Sequence, residues 1–225
     1  MLYKVKCSAY TAHLEITRNN MDYSQLASKE TVAKTADALR AKNYEVFIVE
    51  SGAEAFSKIK DLLPQGASVM NGASVTLETI GFVDYLKEGK HGWNNLHAAI
   101  VAETDGAKQA QLRKQALLSG YYLGSVHALT ESGEFIVASN TGSQLSHVVY
   151  SSTEPIFVVG AQKIVPTLEE AFKRIREYVI PLEEDHMMQK YKVHTTLNKE
   201  VVFHGESPYT GRKIRLILVN EKLGF

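Results

Sequence analysis

The chain has 225 residues, 25 basic and 25 acidic, with 44% apolar side chains and a single cysteine, Cys7. A neutral balance with no concentrated basic face speaks against nucleic-acid binding. One cysteine excludes an intrachain disulfide and a cysteine-built zinc or iron–sulfur centre, and no apolar run approaches the roughly 18 residues of a membrane span.

The first twenty residues, "MLYKVKCSAYTAHLEITRNN", lack the apolar core of a secretory signal. A cytoplasmic protein is expected, with residues 1–20 as an extension before one α/β domain over 21–225. Leu26, Ala33, Ala36 and Leu39 recur at near-helical spacing and predict a helix within 22–43, with Asn43 as its stop. "YEVFIVE" (44–50) follows as a strand. Ser51 and Glu54 form the S-x-x-E pattern that opens a helix ending at "LLPQG". "ASVM" (67–70) is a second strand, leading through a glycine turn into a helix over 74–87. Such alternation with short links predicts a largely parallel sheet between helices.

"KEGKHGWNNL" (87–96) reads as a loop, and a polar helix follows over 104–119. "SVHALT" and "EFIVAS" flank the "ESGE" turn as a hairpin. "NTGSQLSHVVY" again takes a strand end through a glycine turn into a helix. "PIFVVG" (155–160) is a buried strand, and Thr167 with Glu170 caps a helix over 168–180 that Pro181 is expected to end. The charges of "KRIREYV" (173–179) share that helix with Glu169, Glu170 and Glu177, which describes a solvated face. The tail from "KEVVF" to "LILVN" reads as a second hairpin turning at "SPYTG". Alternation in "IRLILVN" would leave a face or an edge needing cover, so a homo-oligomer is expected.

The P-loop, dinucleotide, zincin and nucleophile-elbow patterns are all missing from the sequence. A repeated theme takes their place: strand, glycine turn with hydroxyls, helix start, at 71–76 and again at 140–144. Helix-start amides have no internal partner and carry partial positive charge, so an anionic group fits there. Open α/β sheets also take ligands at the carboxyl ends of their strands. Gly72, Ser74, Thr76, Asn140, Gly142 and Ser143 are therefore candidate ligand contacts. Lys163, just past a strand end, is a candidate cation beside them, or else a solvated loop lysine.

Ser143 and His147 would share a helical face, but a Ser–His nucleophile needs an orienting group and an oxyanion hole that the sequence does not identify. None of the eight histidines has a recognised metal spacing, and His127, within a strand pattern, reads as structural. Glu131 and Glu78 are the carboxylates nearest the two turns and the candidates for any base or nucleophile. No catalytic residue is otherwise assigned.

Four ordered blocks resemble the LUD-domain family of lactate utilization proteins: "GASVTLETIG" (72–81), "GSVHALTESGEFIVASNTGSQ" (124–144), "FVVGAQKIVPTLEEAFKRI" (157–175) and "LILVNEKLGF" (216–225). The resemblance implies the sugar-phosphate isomerase/CoA-transferase-like fold. It also implies a link to L-lactate use beside iron–sulfur and flavin oxidation proteins, which become expected partners. Relatives often carry a cysteine-rich stretch before the last block. Positions 183–213 have none, so no intrinsic iron–sulfur cluster is expected. Relatives also commonly show an acid where Thr79 stands. Three readings follow: an accessory protein holding a small anionic metabolite, an enzyme of isomerase or acyl-CoA transferase type using a carboxylate, or a subunit whose surface matters more than its pocket. The sequence names no cofactor.

Overall fold

The computed structural model describes residues 21–225; Cys7 and the expected extension lie outside the described residues. In the first half of the chain, α1 (Lys29–Ala41), β1 (Glu45–Val49), α2 (Gly52–Leu62) and β2 (Ser68–Asn71) are followed by two short helices, α3 (Val75–Thr79) and α4 (Phe82–Glu88). The two-residue strand β3 (Asn94–Asn95), α5 (Leu96–Ala102) and α6 (Gly106–Ala116) complete it. The second half holds β4 (Tyr121–Gly124), β5 (Ala128–Thr130), β6 (Phe135–Ser139), β7 (Glu154–Gly160), β8 (Ile164–Val165), α7 (Leu168–Arg174), α8 (Ile180–Tyr191), β9 (Lys199–Phe203) and β10 (Arg215–Val219).

Six strands form one parallel sheet in the order β1-β10-β7-β4-β2-β3. Parallel strands covered by helices on both faces can be apolar throughout, and β10 is buried at all five positions. Its Leu216 and Leu218 join one core cluster while Ile217 and Val219 join another, as the alternation of a strand between two layers requires. β7 divides in the same way, Phe157 and Val159 against Ile156 and Val158. Arg215 pins three neighbouring strands at one end, bonding Glu45 of β1 at 2.8 Å and Glu154 of β7 at 2.5 Å. A second sheet, β8-β5-β6-β9, packs its far face on α7 and the turn that follows it through Ile136, Ala138, Ala171 and Ile175.

The α/β class, the 44–50, 67–70 and 155–160 strands and the 125–139 hairpin agree with the sequence reading. Ser28, Ser51 and Thr167 each accept a backbone N–H three residues on, as caps.

Several expectations are corrected. The tail is not a hairpin: β9 pairs with β6 in the small sheet, whereas β10 lies between β1 and β7. With β10 central and covered, the edge that suggested an oligomer does not exist. Pro181 does not end its helix. A wide π turn over residues 175–179 precedes it, and Pro181 stands in the first turn of α8, where its missing N–H and its ring no longer conflict with a regular preceding turn. The 74–87 helix is two helices broken at Gly81, whose φ of 78° lies in the left-handed region that glycine tolerates. The first helix begins at Lys29 rather than near 22, and the 87–96 loop already contains β3. Arg174, assigned to a solvated face, is fully buried.

Candidate functional site

The carboxyl ends of β2, β4, β6 and β7 open onto one cavity of about 290 Å³. Gly72, Ser74 and Thr76 line it from the turn after β2, Asn140 and Ser143 from the turn after β6, and Lys163 from beyond β7. The two turns that the sequence pairs by chemistry thus meet in space. Ser74 Oγ also caps α3, accepting the Leu77 N–H at 3.3 Å. That bond leaves its hydroxyl proton available to a ligand. Gly142 is not in the lining: its φ is 86°, and a side chain there would press on Lys199.

Lys163 is not a solvated loop residue. It is buried, and Nζ lies 2.9 Å from Thr76 Oγ1, 3.0 Å from Ser125 Oγ and 3.3 Å from the Val126 carbonyl. The Thr76 hydroxyl donates to the Leu223 carbonyl at 3.2 Å, and the Ser125 hydroxyl donates to the Val158 carbonyl at 2.6 Å. Both hydroxyl oxygens therefore face Lys163 as acceptors. Three acceptors match the three protons of an ammonium group. Burial, and then the Arg174 guanidinium, push the Lys163 amine in the opposite direction, well below its ordinary value. No acidic side chain enters its surroundings among the described residues. The amine's hydrogen bonds favour its charged form and its desolvation opposes it.

Two neighbours were missed by sequence reasoning. His127 Nδ1 accepts the Ala138 backbone N–H at 3.0 Å, which fixes the proton of the neutral ring on Nε2. Burial, then Lys163 and Arg174, lower its pKa to about 3, so a neutral Nε2–H donor lines the cavity. Arg174 donates Nη1 to the His127 carbonyl, and its guanidinium stands 5.3 Å from the Tyr178 ring centre. Its Nε and Nη2 are buried without a partner among the described residues, and burial lowers its pKa to about 10. The signal for Arg174 lay in its spacing, three residues past Ala171 and one before Ile175 on the apolar face of α7.

The carboxylate candidates lie elsewhere. Glu78 bonds Lys190 of α8 at 2.6 Å, and Glu131 bonds Lys34 of α1 at 3.3 Å beside a separate shallow depression. Glu183 is the one acidic side chain in the cavity lining, and it faces His186 at 3.1 Å. Ser143 and His147 do not pair. His147 Nδ1 contacts Ser119 and Ser152, each at 3.2 Å, and the Ser143 hydroxyl oxygen accepts from Thr141. Among the described residues, no three metal-ligating side chains gather.

The LUD-domain family model matches residues 32–214. The chain belongs to the LUD-domain family. The LUD domain so defined takes in most of both sheets and every cavity turn before β10. Its fold is similar to the crystal structure of a DUF162 family protein from Deinococcus radiodurans, with a TM-score of 0.53 and 16% identity. That alignment covers 87% of this LUD domain chain and all of the other. No curated protein matches the chain. No helix among its described residues is long and apolar enough to cross a membrane.

Proposed function

We propose that the cavity binds a small organic anion and that the protein serves lactate or related organic-acid metabolism as an accessory or binding component. One observation carries this reading: Lys163 is buried at the cavity as the donor to three acceptors, with no carboxylate partner among the described residues. An anion entering the cavity would favour the protonated amine through its charge, and the Nε2–H of His127 and the hydroxyl of Ser74 would supply neutral donors. The association of LUD domains with lactate use supports a carboxylate as the anion.

Thermal unfolding with lactate, other 2-hydroxy acids, 2-oxo acids, sugar phosphates and acyl-CoA esters tests this. A ligand at one hundred times its dissociation constant stabilises the fold by about 2.7 kcal/mol, which for a chain of this size raises Tm by roughly 5–10 °C. Lys163→Met should abolish the response. An equal shift in parent and variant would remove Lys163 from the site.

A further inference from the structure

The cavity is larger and more apolar than a three-carbon acid needs. At about 30 Å³ for a water-sized group, its volume of about 290 Å³ accommodates about ten such groups. Lactate has six non-hydrogen atoms, and bonded atoms take less room than separate waters, so it would fill less than about six-tenths of the cavity. The remaining lining includes Ile180 and Met187 of α8 and Leu197 beyond it. All three line the cavity and are only half-buried among the described residues. Val148 and Phe157 from the core extend the same apolar lining.

We infer that the occupant is a monocarboxylate whose apolar body is several carbons longer than the methyl group of lactate, its acid group drawn to Lys163 and its body packed on Ile180, Met187 and Leu197. The inference rests on the anion-binding reading above and specifies its substrate class. A longer body removes both its own surface and that of the three side chains from water, which is favourable in proportion to the area buried.

The test is titration calorimetry on the full chain with lactate, 2-hydroxybutyrate, 2-hydroxyhexanoate and 3-phenyllactate. Each added methylene should tighten binding by about fourfold, so 2-hydroxyhexanoate should bind about sixtyfold more tightly than lactate. Met187→Trp, which occupies the apolar end, should move the tightest binder to a shorter acid. Equal affinity for lactate and 2-hydroxyhexanoate would overturn the inference and leave the anion site standing, as would an unchanged preference in Met187→Trp. Failure of all four acids to bind would overturn the inference, and the absence of a Tm shift with every anion of the panel above would overturn the anion-binding reading as well.

Discussion

Acidification offers a direct test of how the cavity is held together, through His127. Its Nδ1 must stay unprotonated to accept the Ala138 N–H, and its pKa falls from 6.5 to about 3 in the fold. Because the folded pKa is below the unfolded one, the unfolded chain binds more protons between these values. Stability from this group is then complete above pH 6.5 and is lost as pH falls toward 3. By pH 4.5, where most carboxylates are still ionised, the loss from His127 amounts to about 2.7 kcal/mol. Asn at this position places an amide oxygen near Nδ1, so it keeps an acceptor for Ala138 but has no titration. Urea unfolding of the parent and His127→Asn between pH 7.5 and 4.5 should show the parent losing about 2–3 kcal/mol more than the variant. The comparison is of slopes, so any fixed cost of the substitution cancels, and the acid-induced losses from His97 and His147, which burial also depresses, are common to both proteins. Parallel loss in the two proteins would refute the assignment of a neutral, backbone-bonded His127.

Gln162→Leu should cost about 2–4 kcal/mol in urea unfolding. Its amide bonds the Leu223 carbonyl at 2.9 Å and accepts the Leu223 N–H at 3.4 Å, and hydrogen exchange at Leu223 should accelerate. Gly160→Ala should destabilise the same junction, because a β-carbon there would stand 2.8 Å from the Glu221 carbonyl oxygen and the Leu223 nitrogen; a melting point equal to the parent's would contradict the close approach. Glu78→Gln should lower stability by no more than about 1 kcal/mol, since its ion pair with Lys190 is half-exposed, and it should leave the anion-induced Tm shift intact. Loss of that shift would bring Glu78 back as a site residue.

Strands with continuous apolar runs were readable because a parallel sheet buries both of their faces; β1 and β7 carry that mark without needing tertiary information. β10 carries it too, yet it was assigned to a hairpin. The neighbouring "KEVVF" and the "SPYTG" turn supply every local feature of a hairpin, and nothing local states that the two strands enter different sheets. Pro181 misled for a related reason: the helix rule assumes regular turns, and the π turn before it depends on packing of Ile175 and Val179. At the site, the turn chemistry of Ser74, Thr76, Asn140 and Ser143 was visible. The burial of Lys163 was not, because it results from two segments distant in sequence, at Thr76 and at Ser125–Val126, closing around one amine. Arg174 was hidden by its charge, which outweighed its position on an apolar stripe.

The central place of β10 has a consequence for how the chain reaches its fold. Among the described residues, β1 pairs in the large sheet only with β10, across about 170 positions of sequence, so β1 lacks this sheet partner until residues 215–219 arrive. Such non-local closure is entropically late and correspondingly slow. Until it occurs, β1 and β7 each present an unpaired backbone edge with apolar side chains on it. During synthesis, residues 45–160 would therefore pass through a stage with two open strand edges and no internal partner for them, the stage at which a neighbouring nascent copy or a chaperone would compete with β10 for the same hydrogen bonds.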